Sequence, residues 1–232
     1  MTVNKDFFEL QKLFFVEKKY DETIQYIVSS RFVELADFQE ILANAYFMKF
    51  DFVSAATIYQ RLGMLYHVGY CHLLFGDTKT ARSVWDNTPV SSAQKWGMFF
   101  CELFGEKVVT VPTFLQIRAF LERDLALFLK LNHVVFVQKI IDVSEFLFDI
   151  NQETNKIIAR TFLYNNYPTY AKEFFNRALD FTTQDAELYY LLGLYYKGQN
   201  DLKEAKNAFR SAVFLNNNYL MAKIQYEDLK DI

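Results

Sequence analysis

Residues 185–218 read DAELYYLLGLYYKGQNDLKEAKNAFRSAVFLNNN, and residues 151–184 read NQETNKIIARTFLYNNYPTYAKEFFNRALDFTTQ. Laid one over the other, the two stretches hold register without a gap. Ala159 stands over Gly193, Phe162 over Tyr196, Ala171 over Ala205, Phe175 over Phe209 and Ala178 over Ala212, always 34 residues apart. A period of that length fits one helix–turn–helix unit. The small residues mark where one helix must let a second come close, and the rings fill the space beside that contact. Between the helices stand KGQND and NNYPT, polar turns containing Gly or Pro.

The pattern loosens upstream. AYFMKFDFVSAATIYQRL places Ala43, Tyr46, Ala55 and Tyr59 at corresponding positions. GYCHLLFGDTKTARSVW does the same with Gly69, Ala81 and Trp85. Nearer the start, Phe14, Thr23 and Ile27 give a weaker version. Residues 91–148 diverge most. There Trp96-Gly97 and Phe100 read as a first helix, GEKVVTVPTF replaces a tight turn, and Pro112 is expected at a helix N-terminus. The apolar run 125–141, LALFLKLNHVVFVQKII, reads as two buried helix segments meeting at a turn near Asn132. Residues 220–232 read as a capping helix with Leu220, Ile224 and Leu229 on its apolar face.

These residues resemble the tetratricopeptide repeat family, whose pattern runs Trp, Leu-Gly, Tyr, Ala, Phe, Ala and a closing Pro. The last repeat here offers Tyr189, Leu192-Gly193, Tyr196, Ala205, Phe209 and Ala212, with Asn217 at the proline position. The resemblance implies an all-α fold, a right-handed α-solenoid of antiparallel helix pairs spanning 1–232. Its expected parts are divergent repeats at 1–90, irregular helical repeats at 91–151, repeats at 152–185 and 186–219, and the cap at 220–232. It also implies a non-enzymatic scaffold or adaptor, in which the first helix of each repeat lines a concave groove for a partner peptide or helix.

Composition agrees with helices. Seven Gly and three Pro in 232 residues leave little material for the frequent turns of a β-sandwich. The net charge of −3 and the lack of a basic stripe argue against nucleic acid. The N-terminal stretch is interrupted by Asp6, Glu9 and Lys12, so it reads as no signal peptide. Charged and amide residues break 125–141 short of a membrane span. Two cysteines, Cys71 and Cys101, suit buried thiols in a reducing compartment, and the expectation is cytoplasmic.

Chemistry is sparse. Cys71 beside His72 is the one tempting pair, but neighbours along a helix point in different directions. No zinc spacing and no glycine-rich phosphate loop is present, so neither a metal nor a cofactor is expected. In the groove that the resemblance implies, the first helices present Lys156, Arg160 and Tyr164, then Tyr190, Leu194 and Lys197. A Lys and an Arg one turn apart suit an acidic peptide, and as lone surface charges they would simply be solvated. Lys156 and Arg160 also resemble part of the carboxylate clamp that holds chaperone C-termini, but Arg123, Gln94 and Met98 stand where the rest of it should be. The expected partner is another protein or peptide. The 25 Phe and 15 Tyr leave three readings open: a groove for a partner helix, a surface for self-association, or a wide core. Two alternatives to the adaptor follow, a self-assembling structural solenoid and an enzyme with a site in the irregular middle region.

Overall fold

The structure, a computed structural model, describes residues 3–104 and 110–230, with side chains from Lys5 onward. Its described residues form fifteen α-helices and no strand. They gather into two compact units, Met1–Val111 and Pro112–Ile232.

The first unit holds α1 (Val3–Gln11), which runs on through a π-helical turn at Lys12–Val16, then α2 (Tyr20–Val28) and α3 (Ala36–Met48). It continues with α4 (Phe52–Arg61), α5 (Leu65–Leu74), α6 (Thr78–Asp86) and α7 (Ser92–Leu103). The second unit holds α8 (Phe114–Lys130), α9 (Val134–Asp142), α10 (Ser144–Ile150) and α11 (Thr154–Tyr164). It ends with α12 (Pro168–Phe181), α13 (Ala186–Gly198), α14 (Leu202–Leu215) and α15 (Leu220–Asp228).

One device recurs in the tight turns. A residue at positive φ stops the first helix, and in three of these turns the aspartate after it (Asp51, Asp77 or Asp201) caps the second. Gly76 (φ 90°) is followed by Asp77, whose carboxylate accepts from Thr80 N at 3.0 Å. Asn200 (φ 60°) is followed by Asp201, which accepts from Glu204 N at 3.2 Å. Glycine and asparagine tolerate this left-handed backbone, and aspartate satisfies a helix-end N–H. Pro168 stands at the first turn of α12, where its missing N–H costs nothing. Pro112 lies just before the α8 cap, and Thr113 and Gln116 form a reciprocal capping box there.

The expected turn at Asn132 is present, with φ 54°. Asn132, Asn166 and Asn200 all take the left-handed conformation and are spaced by 34 residues. The regular period therefore reaches back to α8 and α9, within the stretch that looked most divergent. Residues 105–109, part of GEKVVTVPTF, lie outside the described residues. Beside them, Thr110 donates from N and Oγ1 to the buried Glu102 carboxylate, at 2.5 and 2.9 Å.

The cores follow one rule in both units. A small residue on a first helix meets an aromatic sixteen positions on and an alanine twelve positions on. The sets are Ala43/Tyr59/Ala55, Gly69/Trp85/Ala81, Ala159/Phe175/Ala171 and Gly193/Phe209/Ala205, and all are buried. Trp85 is sandwiched. A Cβ on Gly97 of α7 would lie 2.8 Å from its indole, and one on Gly69 of α5 would lie closer still. The indole N–H donates to Tyr66 O at 3.2 Å. The small residues of the first unit stand 26 positions apart, Ala43 to Gly69, against 34 in the second, and the helices shrink to match. α6 has 9 residues where α14 has 14.

At the C-terminal end α15 packs against α14. Its buried side is Ala222 and Leu229, with Tyr226 half-buried, whereas Leu220 and Ile224 face outward. Only Leu229 of the three expected apolar contacts turns inward. Of the phenylalanines that raised the question of an exposed surface, Phe14, Phe99 and Phe100 are core, while Phe8 and Phe15 are exposed.

Candidate protein-binding face

In the second unit α11 lies between α8 and α13, so first helices of successive pairs stand side by side. Across them runs an ion-pair network. Lys156 Nζ donates to Asp185 Oδ2 at 2.7 Å and lies 3.0 Å from Glu187 Oε2 and 3.7 Å from Glu153 Oε1. Arg160 forks onto Glu122 of α8 (Nε–Oε1 3.1 Å, NH2–Oε2 2.6 Å). Its remaining NH1 reaches Glu187 Oε1 of α13 at 2.6 Å. Glu187 is the hinge of the cluster, since one oxygen serves each cation.

The cations lie beneath and the carboxylates above. The Lys156 and Arg160 side chains are 11% and 23% exposed, against 25% for Asp185, 38% for Glu187, 41% for Glu122 and 46% for Glu153. Burial pulls the Lys156 ammonium down, yet its bonds to Asp185 and Glu187 outweigh burial and hold it above its ordinary value. Arg160 behaves alike, with burial opposed by Glu122 and Glu187. Asp185 has a second task, because its Oδ1 accepts from Leu188 N at 3.1 Å and caps α13.

Three tyrosines border the network. Tyr164 ends α11 and is largely exposed. The Tyr190 and Tyr219 rings meet at a 45° tilt with centroids 5.1 Å apart. Burial, then Glu187, pushes the Tyr219 hydroxyl up to about 12. An open depression lined by Glu153, Lys156, Asp185, Glu187, Asn216 and Tyr219 lies at the Lys156 end of the cluster.

The six residues expected in a groove thus divide. Lys156 and Arg160 come together, and Tyr164 and Tyr190 flank them. Both cations are held by the chain's own carboxylates. Leu194 packs with Tyr190 onto the core of Ala205, Phe209 and Leu229. Lys197 turns toward α15 and donates to Gln225 Oε1 at 2.7 Å. Sequence reasoning missed Glu122, Glu153, Asp185, Glu187 and Tyr219. Nothing in helical spacing pairs Lys156 with Asp185, 29 residues on, or Arg160 with Glu122, 38 residues back. Gln94, at one clamp position, is buried and donates to Trp85 O at 3.1 Å.

Elsewhere, burial pushes the Cys71 and Cys101 thiols up to about 12, away from the thiolate that reactivity needs. His72 Nδ1 is 4.0 Å from Asp77 Oδ2. Among the described residues no group of three or more His, Cys, Asp or Glu is placed to hold a metal ion. No described helix is long and apolar enough to cross a membrane.

The sequence profile of the tetratricopeptide repeat family matches residues 186–219, which cover α13, α14 and the turn after them. The chain is a helical repeat protein that carries a tetratricopeptide repeat at those residues. No curated protein matches it. Among solved structures it is similar to a tetratricopeptide repeat protein from Parabacteroides merdae, at 15% identity and a TM-score of 0.41, over 97% of this chain and 83% of that one. It is also similar to a chain of the APC/C hetero-tetramer Cut9–Hcn1, at 13% identity and a TM-score of 0.37. That match covers 97% of this chain but 46% of the other, so the chain spans less than half its length.

Proposed function

We propose that this protein is a non-enzymatic scaffold that holds a segment of a partner protein on the first-helix face of its second unit. The tetratricopeptide repeat at 186–219 supports an interaction role, since such repeats generally mediate protein–protein contact. The observation that carries the choice of face is the meeting of α8, α11 and α13 in one charged network rimmed by Tyr164, Tyr190 and Tyr219. Tyr164, the exposed ring of the three, offers contact area at low entropy cost. The two buried free thiols fit a reducing, cytoplasmic setting.

Crosslinking mass spectrometry in the native cell tests this, comparing the wild type with Tyr164→Ser, a change at an exposed position. Crosslinks from one partner to α8, α11 and α13 that weaken in the variant support the reading. Partner crosslinks confined to other helices move the interface away from this face. A second reading, self-assembly, is supported by Phe8, Phe15 and Val16, which are exposed together on α1 and its π-helical turn. Recovery of self-crosslinks alone favours it, and a monomeric mass at high concentration removes it.

A further inference from the structure

We infer that the first-helix face of the second unit takes a basic partner segment, one presenting Lys or Arg, rather than the acidic peptide that its own Lys156 and Arg160 invite. The inference rests on the scaffold reading above and adds the sign of the partner's charge. Within the network four carboxylates (Glu122, Glu153, Asp185 and Glu187) meet two cations (Lys156 and Arg160), leaving an excess of two negative charges. On α8, Arg123 pairs with Asp124 at 2.7 Å, and the exposed Arg118, one turn before Glu122, is a cation that offsets part of this excess.

The vertical order of the charges decides what a partner meets. Both cations are the less exposed members and the carboxylates lie outermost. An acidic peptide would have to displace Glu187 from two cations at once and strand it. A basic segment needs no displacement, because an ionised carboxylate offers about four acceptor positions and these use only some of them. The rings add to the same preference. Tyr164 stands exposed beside the network, the half-buried Tyr190 and Tyr219 rings meet at a tilt at its edge, and an aromatic face attracts a cation. Glu153, Asp185 and Glu187 line one open depression with the Tyr219 ring, a setting complementary to an ammonium or guanidinium group.

The test uses the full chain and two fluorescein-labelled peptides of equal length, one alternating Lys and Ser and the other Glu and Ser, read by anisotropy. The variant is Glu122→Gln/Glu153→Gln, which removes the excess charge while keeping Glu187 between the cations and Asp185 at its cap. Far-ultraviolet circular dichroism confirms its helices. Tyr164→Ser serves as an independent variant. The expected result is binding of the Lys peptide, weakened by salt and reduced roughly tenfold in either variant, with no binding of the Glu peptide. Lys-peptide binding that is unchanged in both variants would overturn the inference, as would tighter binding of the Glu peptide. The scaffold reading survives either failure if cellular partner crosslinks still map to α8, α11 and α13. If those are absent as well, both fall.

Discussion

The ring of Phe209 occupies the space where a side chain on Gly193 would begin. A Cβ built on Gly193 would lie 2.8 Å from Phe209 Cζ and nearer still to Cδ1 and Cε1. Gly193→Ala should therefore destabilise the second unit by about 1–3 kcal/mol, even though alanine is the better helix former. Phe209→Leu should cost less in the Gly193→Ala background than in the wild type, so a double-mutant cycle exposes the coupling. Gly198, also on α13, faces open space. Gly198→Ala should raise stability by about 0.5–1 kcal/mol, and chemical denaturation measures both.

Phe50 holds the left-handed turn between α3 and α4 at φ 68°, where the other unit uses asparagine. A bulky side chain is strained there. Phe50→Asn is expected to raise the melting temperature, by a stabilisation of about 0.5–1 kcal/mol. A lower melting temperature would mean that the ring's contact with Phe52, 6.4 Å between centroids, outweighs the strain.

Lys156→Met leaves Asp185 and Glu187 facing each other without their shared cation. A fully buried pair broken this way costs more, but these carboxylates are partly solvated. The expected loss is about 1–3 kcal/mol, read by denaturant unfolding. Reversing both cations to glutamate would crowd six carboxylates and unfold the face, so that change cannot separate binding from folding.

Alkaline pH should destabilise the protein progressively from about pH 9 upward. The thiols of Cys71 and Cys101 have an ordinary value of 9.0 and are pushed to about 12 by burial, with the charges around Cys101 adding smaller opposed effects. Below pH 9 neither state ionises and their contribution is fully present. Between 9 and 12 the unfolded chain loses protons that the folded chain keeps, so stability falls by about 1.4 kcal/mol per pH unit per thiol. Urea titrations at stepped pH check the slope. Cys71→Ala/Cys101→Ala should lower it.

Gly193, Ala205 and Phe209 were legible from the sequence because the repeat aligns them and helix contact explains each size. The turn at Asn132 was legible from the polar break in an apolar run. The 34-residue spacing of Asn132, Asn166 and Asn200 was there to be read as well, but Leu125 stands at the small-residue position of that pair and hid it. The charged site was legible only by half. Lys156 and Arg160 announce themselves one turn apart on α11. Glu153 at the α11 cap stands at i, i+3 to Lys156, but the other carboxylates come from α8, the α13 cap and the first turn of α13, and which of these reach the cations depends on how the helices pack. Likewise α15 pattern-matches a helix with Leu220 and Ile224 inward, whereas its short Ala222 is what lets it approach α14.

Both tryptophans, Trp85 and Trp96, are fully buried in the first unit, and the second unit contains none. Indole fluorescence is thus a built-in gauge for residues 1–111 alone, while circular dichroism averages over all fifteen helices. Two superimposable melting curves would mean that the units unfold as one cooperative body. An offset between them would assign each unit its own stability without a single label being attached.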